Sequence, residues 1–321
     1  MKPVFSIVAN GQNITREIQQ RLIELTITDE AGQKSDKVSI KLDDRDAIPL
    51  PPSGAELRVS MGWEKTGLVY MGRYIVDEYK LDLVPATFTI EAKAADMRKD
   101  LKVKKTRPWH NVSVLDLIET ISAEHGLKPL VSDDFKALQL GHVDQTNESD
   151  LHLLTRLSDD YGAVAKPANG YLLFVPEGEV KTASGKALPT TKIIPKMVTS
   201  GSAVLPQRNK YNSAEAKWHS NGEAQEKIEV MGSGDPVYVL PRSYPNQEAA
   251  KAAVKAKYNK LTRGEASLSL KLIGKPDIGA ESAVQMSGFR EGIEGKWVVN
   301  VASHTIGQNS FSTSLQCGVS R

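Results

Sequence analysis

Cysteine is almost absent from this chain: Cys317 is the only one in 321 residues. A single thiol can make neither an intrachain disulfide nor a thiolate metal cage, and such usage fits a reducing compartment. Aromatic residues are also scarce, at 6%, and they do not cluster, which leaves no obvious platform for stacking sugar rings or bases. Long apolar runs are missing, since nothing approaches the ~20 residues that a membrane-spanning helix needs. The N-terminus, Met1-Lys2-Pro3-Val4-Phe5, passes straight into alternation without an apolar signal core. The expectation is a protein made in the cytoplasm that uses no cleaved signal. Neither sign of charge dominates: 41 basic and 39 acidic residues leave +2, too little for a global field toward nucleic acid or an anionic membrane.

Catalytic and metal-binding signatures are missing as well. The six histidines are His110, His125, His142, His152, His219 and His304, and none forms a His-Glu-x-x-His pair. His142 and His152 flank Asp144, Glu148 and Asp150, a segment read here as a solvated helix start rather than a metal site. There is no Gly-x-Ser-x-Gly elbow and no P-loop; Gly232-Ser233-Gly234-Asp235-Pro236 is glycine-rich but reads as a turn. Asp43-Asp44, Asp133-Asp134 and Asp159-Asp160 are sequence neighbours, so on a regular element their side chains diverge. Glycosidic chemistry needs two carboxylates converging at roughly 5–10 Å. Cys317 closes the alternating run from Phe311 and reads as a half-buried strand thiol. The expected catalytic, cofactor-binding and metal residues are therefore none.

What the chain does contain is alternation. Phe5 to Val8 leads into Asn10-Gly11, a pair suited to a tight hairpin turn. Leu22–Thr28, Val38–Leu42, Glu56–Trp63, Val69–Tyr79 and Ala86–Ala92 follow as strands, with Ala31-Gly32 as a turn and Pro49, Pro51 and Pro52 in a loop. Several short strands parted by turn signals predict an antiparallel barrel or sandwich.

Lys99 to His110 then reads as a basic linker, and a helix follows with Ser113 as N-cap, Asp116 in its first turn and a stripe of Val114, Leu117, Ile118 and Ile121. A second helix is predicted from Ser149 through Leu151, Leu154, Leu157 and Tyr161 to Gly162. A hairpin comes next, Ala163–Lys166 and Tyr171–Val175 around Asn169-Gly170. From Glu177 to Arg208 the composition predicts loop. Strands resume at Ser213–Trp218 and Glu226–Met231, Asn246 caps a lysine-rich helix striped by Ala250, Ala253, Val254 and Leu261, and Glu265 to Gly318 alternates again.

The two strand-rich ends repeat one another. Val38-Ser39-Ile40-Lys41-Leu42 matches Leu268-Ser269-Leu270-Lys271-Leu272 in type at every position. Each run leads through a proline to Gly-Ala-Glu, at Gly54-Ala55-Glu56 and Gly279-Ala280-Glu281. Val59 and Met61 then match Val284 and Met286, Gly72 to Asp77 matches Gly295 to Asn300, and Phe88 falls on Phe311. Order and spacing together point to an internal duplication. Two copies of one β module per chain suit a ring in which three chains present six quasi-equivalent positions, with strand edges as pairing surfaces. The chain thus reads as a structural assembly part rather than an enzyme.

The basic run from Lys102 to His110 includes Lys104, Lys105, Arg107 and Trp109. It is the best nucleic-acid candidate, although a solvated connector whose Trp109 packs on the following helix is the reading adopted.

Taken in order, these residues resemble the phage late-control protein D family, the baseplate hub proteins of contractile tails, related to the first part of VgrG spike proteins. The resemblance rests on Asn10-Gly11 with Ile14-Thr15, Leu25 to Asp29, Ser35-Asp36, Leu42-Asp43-Asp44-Arg45 and Gly72 to Glu78. It continues through Gln145, Glu148 to Leu151, Leu154, Arg156 and Leu157, then Arg263-Gly264, Gly274-Lys275-Pro276, Gly288-Phe289 and Gly295-Lys296-Trp297. It implies a mainly β fold with an α+β insertion: two tube-protein-like antiparallel barrel or sandwich modules at 1–98 and 209–321, the latter with a helix near 246–262, around an α+β region at 99–208. It implies a homotrimer forming a pseudo-sixfold ring between a sixfold tail tube and a threefold spike. The implied partners are the tube protein or a tube-terminal adaptor, the spike and other baseplate proteins, with no specific nucleic-acid binding. The place would be the tail baseplate of a phage or phage-tail-like particle assembled in the bacterial cytoplasm. Because the chain ends at Arg321 after the second module, the spike is expected on a separate chain. Two other classes stay open, an envelope-degrading hydrolase with β glycan-binding modules and a nucleic-acid channel acting through Lys102 to Arg107.

Overall fold

The computed structural model of the protein describes residues 1–31, 35–47, 49, 52, 54–94, 99–168, 170–176, 190–205, 211–219, 226–263 and 266–319. Gly32, Pro51, Asn169, Gly264 and Glu265, named above in turns, loops and motifs, lie outside the described residues. So do 177–189 and 206–208 of the expected loop region.

The chain opens with β1 (Pro3–Ala9), β2 (Gln12–Asn13), α1 (Thr15–Arg21), β3 (Leu22–Glu30) and β4 (Lys37–Asp43). β5 (Glu56–Trp63), β6 (Gly67–Leu83) and β7 (Ala86–Ala94) complete the first strand-rich end, and a 3-10 turn (Lys99–Lys102) follows. The middle holds β8 (Lys104–His110), α2 (Val114–Glu124), β9 (Lys128–Val131), α3 (Asp133–Lys136), β10 (His142–Ser149), α4 (Asp150–Tyr161), β11 (Ala163–Ala168) and β12 (Tyr171–Pro176). Next come β13 (Thr191–Ile193), β14 (Val198–Val204), β15 (Ser213–His219), β16 (Glu226–Gly232), β17 (Val237–Tyr244) and α5 (Gln247–Arg263). β18 (Ser267–Ile273), β19 (Ala283–Met286), β20 (Gly295–Gly307) and β21 (Phe311–Val319) end the chain.

The contacts divide these elements into two compact units. Unit 1 gathers residues 1–97, 189–203 and 268–317. Its strands form one 13-stranded sheet in the order β14-β18-β21-β20-β3-β4-β7-β6-β5-β1-β2, with β19 on β20 and β13 on β19. The duplication is visible in that order. The first module runs β3-β4-β7-β6-β5-β1 and the second runs β14-β18-β21-β20-β19-β13. Period-two burial explains why both copies form the same strands: Val38, Ile40 and Leu42 point inward from β4, as Leu268, Leu270 and Leu272 do from β18. The copies differ at the far edge, where β1 pairs β5 antiparallel but β13 pairs β19 parallel.

The modules join through β20 and β3, antiparallel from Val301↔Glu30 to Gly307↔Glu24. Thr26 and Thr305 share a hydroxyl hydrogen bond of 3.0 Å across this seam, while Leu25, Ile27, His304 and Ile306 fill its buried side. Trp63 adds a second tie, donating from Nε1 to the Gly274 carbonyl at 2.9 Å and lying 5.2 Å from the Phe311 ring.

Two turns show how locally the strands are specified. Asn10 and Gly11 both adopt positive φ, as the predicted hairpin turn requires. Gly62 pairs with Leu68 in the β5–β6 hairpin, and a Cβ placed there would stand 2.0 Å from the Gly67 carbonyl oxygen. A Gly62→Ala exchange must therefore displace backbone, and a loss of about 1–3 kcal/mol is expected. Urea unfolding of the variant beside the parent chain measures it.

Unit 2 gathers 98–188, 204–267 and 318–321. It contains the pair β10-β8 and two three-stranded sheets, β11-β12-β9 and β16-β15-β17. Its core joins Leu117, Ile118 and Ile121 of α2, Leu153, Leu154 and Leu157 of α4, Phe174 of β12, and Ala249, Ala250, Ala253 and Val254 of α5. The helix starts follow the sequence: Ser113 and Asp116 make a reciprocal capping box, and Ser149 accepts from the His152 amide. Gly162 takes the left-handed conformation that ends α4.

Five readings change. Residues 209–267 were assigned to the second β module, but β15, β16, β17 and α5 fold in unit 2. The reason is that the small stripe of α5 shares its core with Ala214 and Ala216 of β15 and with α4. The expected loop at 177–208 holds, in its described part, β13 and β14, and β14 is the counterpart of β3. The supposed basic linker is strand β8, and the segment leading into the expected helix start at Ser149 is strand β10, paired with it. Finally, α1 lies where only strand and turn were read.

Candidate functional site

The densest polar arrangement among the described residues sits in unit 2, around Asp150. Along β8, Lys105, Arg107 and Trp109 alternate onto one side, away from exposed Lys104, Thr106 and Pro108. That side meets Gln145 of β10, Glu124 and His125 at the end of α2, and Asp150 at the first turn of α4. Asp150 is fully buried. Its carboxylate accepts from Lys105 Nζ at 2.5 Å, Arg107 at 2.9 Å, His125 Nε2 at 2.8 Å and Gln145 Nε2 at 2.8 Å. Glu124 accepts from the same Lys105 at 2.6 Å and the same Arg107 at 2.5 Å. The Arg107 guanidinium lies 4.2 Å from the centre of the Trp109 ring, a cation–π contact. Trp109 in turn donates to Gln145 Oε1 at 3.2 Å.

The electrostatics of this cluster favour fixed charge over proton transfer. Burial pushes the Asp150 carboxyl upward, but hydrogen bonds from His125, Lys105 and Gln145 outweigh it and hold the group below the ordinary carboxylate range. Glu124 follows the same pattern, with burial opposed by Arg107 and Lys105. A general acid or base working near neutrality needs the opposite shift. Glu124, His125 and Asp150 do bring three ligand atoms within 4.8 Å of one another. Yet both carboxylates already accept from the Lys105 ammonium and the Arg107 guanidinium, two cations against two anions. The arrangement fits a structural ion cluster that ties β8, α2, β10 and α4 together.

Tertiary contacts also re-pair the histidines and cations considered in the sequence. His142 lies opposite His110, with stacked rings 4.6 Å apart and Nδ1 atoms 2.9 Å apart. His152 instead bonds Glu148 at 2.6 Å. Of the basic run, Lys105 and Arg107 face inward to carboxylates, so it presents a thinner cationic surface than its composition suggests. Cys317 is buried, and burial pushes its thiol up to about 12, which leaves it protonated and unreactive at neutral pH. Only Asp150, Gln145 and Glu148 of the residues in this neighbourhood stood in the family resemblance; no spacing signal in the sequence could have joined Lys105 and Arg107 to Glu124.

In unit 1 the notable surfaces are strand edges. β14 ends the sheet and exposes Thr199, Ser200, Gly201 and Ser202. The distal part of β6 pairs with β7 through Leu83↔Ala86, whereas its pairing with β5 stops at Ile75↔Glu56. Leu81, Leu83 and Val84 there are 51%, 86% and 94% exposed, an unusual density of apolar surface. No helix among the described residues is long and apolar enough to cross a membrane.

A doubled β module with open strand edges is a part suited to edge-to-edge assembly. The chain belongs to the phage tail baseplate hub (GPD) family, whose profile matches residues 71–310. A probable baseplate hub protein of Escherichia phage 186 is 31% identical to it, over 99% of this chain and 93% of that protein. In structure it resembles the 43 kDa tail protein of prophage MuSo2 from Shewanella oneidensis, with a TM-score of 0.71, 15% identity and 98% coverage of both chains. It also resembles the E. coli c3393 protein, a type VI secretion component similar to T4 tail proteins gp27 and gp5. There the TM-score is 0.55 and identity 10%, over 92% of this chain and 73% of that one. At such identities the two structural likenesses show a shared fold. The protein is accordingly a structural hub component of a phage-type tail baseplate.

Proposed function

We propose that three copies of this chain form a ring of six β modules that joins a sixfold tail tube on one face to a threefold spike on the other, and that the protein catalyses no reaction. The observation that carries this reading is the strand order written twice within one continuous sheet. Two modules joined side by side occupy two adjacent positions of a six-position ring, so each chain spans a third of the circle. Tube subunits would meet six similar surfaces, and a spike would meet three identical chains. Unit 2 is then available for other baseplate proteins. The engagement of Lys105 and Arg107 with Asp150 and Glu124 supports a hub that does not bind nucleic acid specifically.

The test is mass measurement of the purified chain by analytical ultracentrifugation, alone and with its spike partner. A species of three chains is expected. A stable monomer under both conditions overturns the reading.

A further inference from the structure

We infer that His110 and His142 form a chelating site for a late divalent transition-metal ion, copper(II) or nickel(II), with Asp144 as its positioning residue. The site lies in unit 2 and does not depend on the ring reading. Its basis is the pairing of β8 with β10, which sets His142 directly opposite His110 at the end of the ladder. Side chains alternate between the two faces of a strand, so the inward set of Lys105, Arg107 and Trp109 leaves His110 on the outer face. His142 and Asp144 are exposed on either side of buried Val143, which puts them together on that same face. The Asn111 amide donates to the Gly141 carbonyl at 2.7 Å and fixes the two backbones immediately beside both histidines. Sequence spacing offers His152 as the partner of His142, but His152 bonds Glu148.

The geometry is that of two ligands on one ion. The two Nδ1 atoms stand 2.9 Å apart. Imidazole nitrogens lie about 2.0–2.1 Å from a bound ion, so two of them at a right angle are about 2.9 Å apart. A tetrahedral angle would separate them by about 3.3 Å. The right angle belongs to the tetragonal arrangement of copper(II) and nickel(II), whereas zinc prefers the tetrahedral one. The ring nitrogens are also chemically prepared. His142 Nε2 lies 3.0 Å from Asp144 Oδ1, and an ionised carboxylate only accepts. In the neutral ring the proton therefore sits on Nε2, and the Nδ1 lone pair faces His110. A carboxylate behind a ligating imidazole holds its tautomer and its orientation, as it commonly does for metal-bound histidine. His110 Nδ1 can donate to that lone pair or, with its proton on Nε2, offer a lone pair of its own. Both rings are exposed, so His110 can change tautomer and an ion can arrive without any opening of the backbone. Two protein donors converge, and water fills the remaining positions of the ion.

Titration of copper(II) into the untagged full chain, followed by calorimetry and electron paramagnetic resonance, tests this. The tightest site is expected to take one ion per chain and to show two equatorial nitrogen donors. His110→Ala and His142→Ala should each weaken binding by about 10-fold or more and abolish the two-nitrogen spectrum. Asp144→Asn should keep that spectrum while weakening binding about 10-fold, the effect of losing the carboxylate that orients a ligand. His152→Ala and His219→Ala should bind as the parent does. All three residues of the site are exposed, so urea midpoints without metal should match the parent in every variant. Saturating nickel(II) should raise the parent's midpoint, because the ion binds the native strand pair in preference to the separated histidines. Neither His110→Ala nor His142→Ala should show that rise. A one-nitrogen spectrum in the parent, or binding unchanged by both histidine substitutions, overturns the site. An Asp144→Asn affinity equal to the parent's overturns the positioning role.

Discussion

Replacing Asp150 with asparagine is expected to lower the unfolding free energy by about 3–5 kcal/mol, the range for removing one partner from a buried ion pair. Asparagine keeps the shape and one acceptor oxygen, so the change isolates charge. Lys105 and Arg107 would then face only Glu124, which is partly exposed, and the buried end of the cluster would hold uncompensated positive charge. Asp150 is also the first residue of α4, where a carboxylate is favoured by the amide dipoles of the helix start. Urea unfolding at neutral pH measures the loss, and a value below about 1 kcal/mol would show the cluster to be well solvated. Adding Lys105→Gln should recover part of it, because the second change removes the charge that the first left unpaired. The same cluster sets an acid limit. Asp150 and Glu124 are held below their unfolded values, so their contribution is present above the ordinary carboxylate range. It is lost as pH falls below about 4 and the folded groups take up protons.

A second acid response should begin earlier, at the seam between the modules. Burial pushes His304 down to about 4, against smaller opposing contributions from the Ile278 backbone and Asp277. Its ring lies in the β20–β3 seam opposite Ile27, and its Nδ1 is 3.0 Å from Thr313 Oγ1. The folded value is depressed, so the unfolded chain takes up the proton first. Stability is therefore full above about pH 6.5 and declines as pH falls toward 4. At pH 5 the expected loss is about 2 kcal/mol, from a window of roughly 1.5 units at 1.36 kcal/mol each. Urea midpoints at pH 7 and pH 5 test this, and His304→Gln should flatten the difference. A parent chain equally stable at both values would mean that the ring charges without leaving its site.

Much of the fold was legible because burial in strands has a short period. β5 begins and ends where alternation of Leu57, Val59 and Met61 predicts, and the matching runs of β4 and β18 bury matching residues. Helices α2 and α4 start at the serines expected of them. The readings that failed share a cause. β8 buries a face made of Lys105, Arg107 and Trp109, so its period-two pattern is carried by cations and looks like a linker. β14 is an edge strand of small polar residues and carries no apolar signal at all. α5 follows strands that resemble those of the modules, but its alanine stripe fits β15 and α4, a match of shapes that no local pattern records. The ion cluster was illegible for a related reason, since its members come from β8, α2, β10 and α4.

The sequence by itself determined that this protein carries one β module twice, because module identity is written in short alternating runs and in turn residues such as Asn10-Gly11. It also carried the family resemblance. Only the tertiary structure decided how the copies connect, since the seam pairs residues as distant as Thr26 and Thr305, 279 positions apart. Hydrogen bonds between strands depend on which backbones are brought side by side, and that choice is made by the packed sheet as a whole. The same packing turned Lys105 and Arg107 inward toward Asp150 and left the ends of β6 and β14 facing outward.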